Sequence, residues 1–229
     1  MKERDKEILK VIIKEHIATG APVGSSHLVE KYKLPVSSAT VRNVMAELEE
    51  EEYIMQPHTS AGRVPTEKAY QMLIDDLKDK KSLKKVKEAE AINELLAGTD
   101  ELSIKELAKL LSRLTDATVF WAFHKHNLYY TGLSNLFRQP EFSSTGMIYD
   151  VSEVVDRMDE IIDDIYDQVG FEPEILIGTD NPFGNFCSSI LVKYKTGEHD
   201  GLFGILAPMR MDYENNLSLI KYILSKLNN

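Results

Sequence analysis

Residues 35–66 read PVSSATVRNVMAELEEEEYIMQPHTSAGRVPT. This stretch carries the strongest structural pattern of the chain, so the other segments are interpreted relative to it. Ser37 can cap a helix, because its hydroxyl can accept from the free backbone N–H groups of the first turn. The apolar residues that follow recur at helical spacing and form one face: Val41, Val44, Met45 and Leu48. The opposite face carries Ala39, Arg42, Asn43 and Ala46. The sequence therefore predicts an amphipathic helix that begins at Ser37.

The polar face of this helix has the composition of a helix that enters a DNA groove. The alanines let the backbone come close, while arginine can bond guanine and asparagine can bond adenine through two atoms each. Arg42 and Asn43 are accordingly predicted to read bases. Hydroxyl groups at the start of the helix would contact phosphates and set the register: Ser37, Ser38 and Thr40. The alternative interpretation is an ordinary solvated helix face, on which an arginine–asparagine pair is common.

A short hairpin is predicted after the helix. Residues 53–56 (YIMQ) are strand-like, residues 59–62 (TSAG) have turn composition, and the next residues can form a returning strand. Such a wing would lift an arginine to its tip or return edge, where the guanidinium could lie along phosphates or in a minor groove. The predicted DNA contacts of the wing are Arg63, His58 and Thr59.

Two further helices are predicted before residue 35. Residues 3–18 form an amphipathic pattern that stops at a Thr-Gly-Ala-Pro segment, and residues 24–32 form a shorter one. Three closely spaced helices followed by a hairpin are typical of a winged helix-turn-helix.

Charge is distributed unevenly along the 229 residues. The chain is acidic overall, with a formal net charge of −10. Residues 1–46 nevertheless hold eight lysines and arginines against five acidic residues, which gives +3 and leaves −13 for the remainder. This asymmetry favours a nucleic-acid-facing amino-terminal part on an acidic body.

Composition excludes several other classes of protein. The single cysteine, Cys187, excludes an intrachain disulfide and favours a reducing compartment. Apolar runs are too short to span a membrane, and the charged amino-terminal residues do not resemble a signal peptide. We therefore expect a cytoplasmic protein without a membrane association.

The second half of the chain alternates helical and strand patterns. Strands are predicted at residues 117–123, 128–131, 175–178, 188–194 and 201–207. A capping box at residues 103–106 begins a leucine-rich helix, residues 151–169 form an acidic amphipathic helix, and residues 213–227 form a closing helix after Asp212 as N-cap. This arrangement predicts an α+β domain with an antiparallel sheet.

Three segments of the first half resemble the HrcA family of bacterial heat-inducible transcription repressors: PVGSSHLVEKY (22–32), SSATVRNVMAELE (37–49) and QPHTSAGRVPTEKAY (56–70). The resemblance implies a winged helix-turn-helix domain that binds double-stranded DNA. It also implies repression of chaperone operons at an inverted repeat, the CIRCE element, and promotion of the active state by the GroEL chaperonin. Because an inverted repeat has two-fold symmetry, the repressor would bind as a homodimer. Val44 departs from the family, which tends to an acidic residue there.

Segments of the second half resemble the GAF-like domain of the same family, in order: GLSNLFRQPEF (132–142), IGTDNP (177–182) and GILAPMRMDYENNLSLIKYI (204–223). The predicted organisation is a winged-helix domain at 1–78, a helical linker at 79–100 and a GAF-like domain at 101–229. The family's inserted dimerisation domain would be reduced to residues near 143–171 or be absent.

The sequence predicts no catalytic, cofactor or metal site. His124 and His126 supply only two ligands, and Cys187 is interpreted as a buried thiol. The carboxylates of residues 156–164 are interpreted as a solvated helix face rather than an acid–base pair. The alternative function is a winged-helix transcription factor whose GAF-like domain senses a small molecule.

Overall fold

The structure, a computed structural model, describes residues 1–59, 61–78, 86–98, 100–142, 145–196 and 199–228. The chain divides into two compact units, Met1–Lys80 and Lys81–Asn229. Of the predicted linker at 79–100, residues 79–85 and 99 lie outside the described residues.

The first unit consists of helices followed by a small hairpin and a further helix. Its elements are α1 (Glu3–Thr19), α2 (Ser25–Tyr32), α3 (Ser38–Glu50), β1 (Ile54–Met55), β2 (Val64–Pro65) and α4 (Glu67–Lys78). The two strands pair antiparallel, with Ile54 opposite Pro65. The positions of α1, α2, α3 and the hairpin agree with those expected from periodicity, while the assignment to the winged helix-turn-helix class stays a prediction.

Local chemistry explains where the helices of this unit begin and end. Gly20 ends α1 with φ +66°, and Lys33 ends α2 in the same left-handed region. The Ser37 hydroxyl accepts from the backbone N–H of Thr40 at 3.1 Å, which confirms the predicted cap of α3. The apolar face of α3 packs with α1 and α2 in a core that includes Leu9, Ile12, Ile13, Leu28, Val41, Val44, Met45 and Leu48.

The second unit is a mixture of helices and one antiparallel sheet, as predicted. Its elements are α5 (Ala89–Leu96), α6 (Glu101–Thr115), β3 (Thr118–His124), β4 (Asn127–Thr131), α7 (Leu133–Phe137), α8 (Thr145–Asp156), α9 (Met158–Ile165), β5 (Glu174–Ile177), β6 (Cys187–Thr196), β7 (His199–Pro208) and α10 (Tyr213–Leu227). The strand order is β4-β3-β7-β6-β5, and every neighbouring pair is antiparallel. The GAF-like label for this unit remains a prediction.

Alternating residues of the strands point to two separate cores. Phe120 and Ala122 of β3 pack with Val151, Met158 and Ile162 of α8 and α9. Trp121, between them in sequence, points to the other face, where its ring stacks on Phe203. Helices α6 and α10 contact β3 and β6. Both faces of the sheet are therefore buried.

Three sequence expectations in this unit need refinement. Helix α6 begins before the predicted capping box, because the Asp100 carboxylate caps it by accepting from the Ser103 N–H at 3.0 Å. The helix predicted over 151–169 is broken at Arg157, where the backbone leaves helical geometry between α8 and α9. Helix α5, inside the predicted linker, packs against α6 and α10 within the second unit.

The segment predicted as a reduced insertion, 143–171, supplies part of the core described above. Residues 143 and 144 of that segment lie outside the described residues, whereas the apolar residues of α8 and α9 are buried against the sheet.

Candidate nucleic-acid interface

The exposed face of α3 carries the predicted base-reading pair. Arg42 and Asn43 are exposed, as are Ala39 and Ala46 on either side of them. Residues of the opposite face recur every three or four positions, so they lie on one side of the helix, and this side is buried. Among the residues that the structure describes, Arg42 forms no ion pair. The α3 helix therefore presents a long cationic donor and a side-chain amide beside small residues, as the sequence predicted.

The three hydroxyl residues predicted as phosphate contacts lie together at the start of α3. Ser37 is exposed, and Ser38 and Thr40 are half-buried. The Ser37 Oγ lies 3.0 Å from the Thr40 Oγ1 and also accepts from the Thr40 N–H. The Ser37 hydroxyl thus already caps the helix, and a phosphate that contacted it would share it with the Thr40 N–H group.

Arg63 lies at the return edge of the hairpin, which is one of the two placements expected for it, and not at the tip. The residue immediately precedes β2, and its backbone exchanges hydrogen bonds of 2.8 and 2.9 Å with Val23, in the loop before α2. Its guanidinium pairs with Glu49 of α3, with Nη2 2.8 Å and Nε 2.9 Å from the carboxylate oxygen Oε2. The sequence missed both partners, because each is distant along the chain.

His58 and Thr59 are exposed in the turn of residues 56–63 between β1 and β2, of which Ser60 lies outside the described residues. The Gln56 amide holds this turn by donating to the carbonyls of Thr59 and Ala61, at 3.0 Å each. Among the described residues of the turn, His58 and Thr59, both predicted from the sequence, are the exposed ones.

A depression of about 340 Å³ brings two of the predicted residues together. Arg42 and Arg63 both line it, opposite the first residues of α2, Ser25 and Ser26, and the preceding Gly24. The charge of Arg63 is largely compensated by Glu49, but the Arg42 guanidinium and the N–H groups at the start of α2 are both attractive to anions. The electrostatics of this surface therefore favours a negatively charged ligand.

Several other cations of the first unit pair with carboxylates. Lys6 and Lys10 both pair with Asp76 of α4, at 2.8 and 2.7 Å, and Lys2 lies 3.4 Å from Glu47. Burial alone would raise the pKa of Asp76, but hydrogen bonds from Lys10 and Lys6 outweigh it, so the pKa is lowered. The charge of +3 counted from residues 1–46 consequently overstates the free positive charge.

Glu15 is the buried anchor between α1 and α2, and sequence reasoning gave no sign of it. Its carboxylate accepts from Lys31 at 3.0 Å and from the Tyr32 hydroxyl at 2.9 Å, and the ring nitrogen Nε2 of His27 lies 2.7 Å away. The Lys31 hydrogen bond, aided by His27 and Tyr32 against the opposing effect of burial, lowers the pKa of Glu15 to about 2. Burial and the contact with Glu15 raise the pKa of Tyr32 to about 12.

The residues considered for metal or acid–base chemistry have structural partners. His126 pairs with Asp163 of α9, and Lys125 pairs with Asp167 at 3.1 Å, so part of the acidic stripe holds the β3–β4 turn. No group of three potential metal ligands occurs in the described part of the chain. Cys187 is fully buried, and burial raises the pKa of its thiol. Within the described ranges, no helix is long and apolar enough to cross a membrane.

Comparison with known proteins shows similarity to one protein family. A family model described as "HrcA protein C terminal domain" matches residues 35–216. The "Heat-inducible transcription repressor HrcA" of Acidothermus cellulolyticus is 50% identical over 115 residues, which are 49% of this chain and 34% of the relative. The protein of the same name from Pseudarthrobacter chlorophenolicus is 45% identical over the same shares. The match thus spans about a third of the length of these curated relatives.

A solved structure supports the fold. A crystal structure described only as that of a hypothetical protein has a TM-score of 0.78 and 20% sequence identity, covering 100% of this chain and 98% of its own. At this identity the likeness concerns the fold alone.

Proposed function

The chain belongs to the HrcA family, and on that premise we propose that it is a transcription repressor that binds duplex DNA through the exposed face of α3. The supporting observation is the exposure of Arg42 and Asn43 between two small residues on a helix whose other face is fully packed. A rigidly held helix with a donor-rich face fits the major groove, where each base pair presents a distinct set of donors and acceptors.

Charge supports Arg42 as the principal cation of this face. Lys2, Lys6, Lys10 and Lys31 each pair with a carboxylate, so their attraction to phosphates is reduced. The charge of Arg42 is not compensated by an ion pair with any residue that the structure describes. A base edge that accepts two hydrogen bonds, as guanine does, would replace solvent as the hydrogen-bond partner of the Arg42 guanidinium.

The remaining predicted residues are proposed to hold the DNA backbone. Ser37, Ser38 and Thr40 would contact a phosphate near the start of α3, and Arg63 would contact one from the hairpin side of the depression. His58 and Thr59, exposed in the turn, would approach the adjacent backbone or the minor groove. Contacts of this kind set register and orientation without reading sequence.

We further propose that the target is an inverted-repeat operator of the CIRCE type that controls chaperone operons in the heat-shock response. Two copies of α3 related by two-fold symmetry would read the two half-sites, so the active species would be a homodimer. Promotion of activity by the GroEL chaperonin would require that GroEL bind two states of the repressor with different affinity.

An electrophoretic mobility-shift experiment tests the proposal. The purified full chain is titrated at low ionic strength against an inverted-repeat duplex and against a scrambled duplex of equal composition, with and without GroEL. We expect a complex of two chains per inverted repeat, formed at much lower protein concentration than on the scrambled duplex. Equal binding to the two duplexes, or no binding even with GroEL, would contradict the proposed function.

A further inference from the structure

Arg63 is held at both its backbone and its side chain. Val23 fixes the backbone through two hydrogen bonds, and Glu49 fixes the side chain through the Nε and Nη2 nitrogens. Gly62, next to it, permits this approach, because a Cβ at that position would lie 2.4 Å from the Val23 carbonyl oxygen. The guanidinium is thus tied to α3 and to the loop before α2 at the same time.

The Glu49 carboxylate occupies only one edge of the guanidinium. A guanidinium carries five N–H donors in a fixed plane, and the contacts with Glu49 use Nε and Nη2 through a single oxygen. Among the described residues, Nη1 has no hydrogen-bond partner. Arg63 lines the depression that Arg42 also lines, so a charged edge remains at a surface that attracts anions.

Partial burial makes this pair more persistent than an ordinary surface ion pair. The side chains of Arg63 and Glu49 are 23% and 35% exposed, which reduces screening by solvent and salt. A free arginine must lose rotamer entropy when it binds a phosphate, whereas a side chain that is already fixed loses less.

We propose that Glu49 is a positioning residue for DNA binding: it grips the Nε edge of Arg63 and thereby presents the remaining edge to a DNA phosphate. This inference rests on the proposed function and adds a residue to it that the sequence did not suggest. A carboxylate near DNA would by itself repel phosphates, so simple electrostatics predicts that its removal raises the affinity for DNA. A positioning role predicts that the affinity falls.

The test compares Glu49→Ala with Glu50→Ala in the full chain. Glu50 lies on the same helix, is exposed, and forms no ion pair with a described residue, so its removal changes the net charge equally. Affinity for the inverted-repeat duplex is measured by fluorescence anisotropy over a series of salt concentrations. The slope of log K against log salt reports the number of phosphate contacts, about 0.9 for each one.

We expect Glu50→Ala to bind as tightly as the wild type or slightly more tightly, with an unchanged slope. Glu49→Ala should weaken binding by roughly three- to tenfold and reduce the slope by about 0.9 per bound subunit, and Arg63→Ala is expected to reduce the slope by the same amount. The double variant should bind no more weakly than Arg63→Ala alone. Glu49→Gln, which keeps an acceptor oxygen, should recover part of the loss and serves as the second variant if Glu49→Ala does not fold.

Two results would overturn this inference while leaving the proposed function intact. If the wild type binds and Glu49→Ala binds more tightly than Glu50→Ala, Glu49 withdraws Arg63 from DNA instead of presenting it. If the two alanine variants behave alike, Glu49 has no role in binding. Failure of the wild type to distinguish the inverted repeat from the scrambled duplex would instead defeat the proposed function, and this inference with it.

Discussion

The hydroxyl of Tyr32 in α2 donates a hydrogen bond of 2.9 Å to the carboxylate of Glu15 in α1. The same carboxylate contacts His27 and Lys31, so one buried acid joins the end of α1 to three residues of α2. Because α2 also contacts α3, this anchor helps to fix the support on which the proposed recognition helix rests.

Glu15→Ala should destabilise the first unit. The substitution removes hydrogen bonds from a charged acceptor that is almost fully buried, so we expect the free energy of unfolding to fall by about 2–4 kcal/mol. Amide hydrogen exchange of α1 and α2 in the full chain measures this loss. Glu30→Ala, at an exposed position of α2, is the matched control and should change the same quantity by less than about 0.5 kcal/mol. Equal effects of the two substitutions would show that the buried contacts of Glu15 do not stabilise the first unit.

Acid should weaken the first unit in a defined range of pH. The pKa of Glu15 is about 2 in the folded chain and 4.5 in its ordinary state, so the folded state favours the ionised form. Its contribution to stability is therefore complete above about pH 4.5 and is lost as the pH falls toward about 2. Urea unfolding followed by circular dichroism should show this decline in the wild type and a shallower one in Glu15→Gln. Parallel declines would refute the assignment.

Arg42→Ala and Asn43→Ala should each cost about 1–3 kcal/mol of binding free energy on the inverted repeat and much less on scrambled DNA, because base contacts confer specificity. Arg138→Ala removes an exposed arginine from the second unit and should leave both affinities unchanged. Anisotropy titrations on the two duplexes provide the comparison. A loss that is equal on both would identify Arg42 and Asn43 as backbone contacts only.

Gly62→Ala should destabilise the first unit by about 1–3 kcal/mol, since the added methyl group would collide with the Val23 backbone. Gly146→Ala is the control, because no atom lies within 4 Å of the Cβ it would add. Hydrogen exchange at Val23 and Arg63, whose amides bond each other's carbonyls, reads out the local effect. Unaltered exchange in Gly62→Ala would argue against the close approach.

The Cys187 thiol should resist modification in the folded chain. It is fully buried, and burial raises its pKa, so little reactive thiolate forms at neutral pH. A chromogenic disulfide reagent should react slowly with native protein and at once after denaturation. Rapid reaction of the native chain would show that β6 opens readily.

Local periodicity explains which features could be predicted from the sequence. The buried and exposed faces of α3 follow from the three- and four-residue spacing of Val41, Val44, Met45 and Leu48, and the strands follow from runs bounded by turn residues. The Ser37 and Asp212 caps were predictable because each acts within three residues. Such features depend on neighbours along the chain.

The features that escaped prediction depend on contacts between distant residues. Glu49 and Arg63 are 14 residues apart, and Asp76 pairs with Lys6 and Lys10, which lie near the other end of the first unit. Counting charges therefore overstated the cationic surface, and turn composition gave no sign of the ion pair between Arg63 and Glu49. The break at Arg157 was invisible because apolar residues continue at helical spacing on both sides of it.

The environment of Trp121 has a practical consequence for experiments. Trp121 is the sole tryptophan of the chain, its ring stacks on Phe203 at 4.4 Å, and its indole N–H donates to the Tyr194 hydroxyl at 2.6 Å. Intrinsic indole fluorescence thus monitors the sheet of the second unit alone. A denaturation curve recorded with that signal follows this sheet, so optical studies of the amino-terminal helices require an introduced fluorophore or a different spectroscopy.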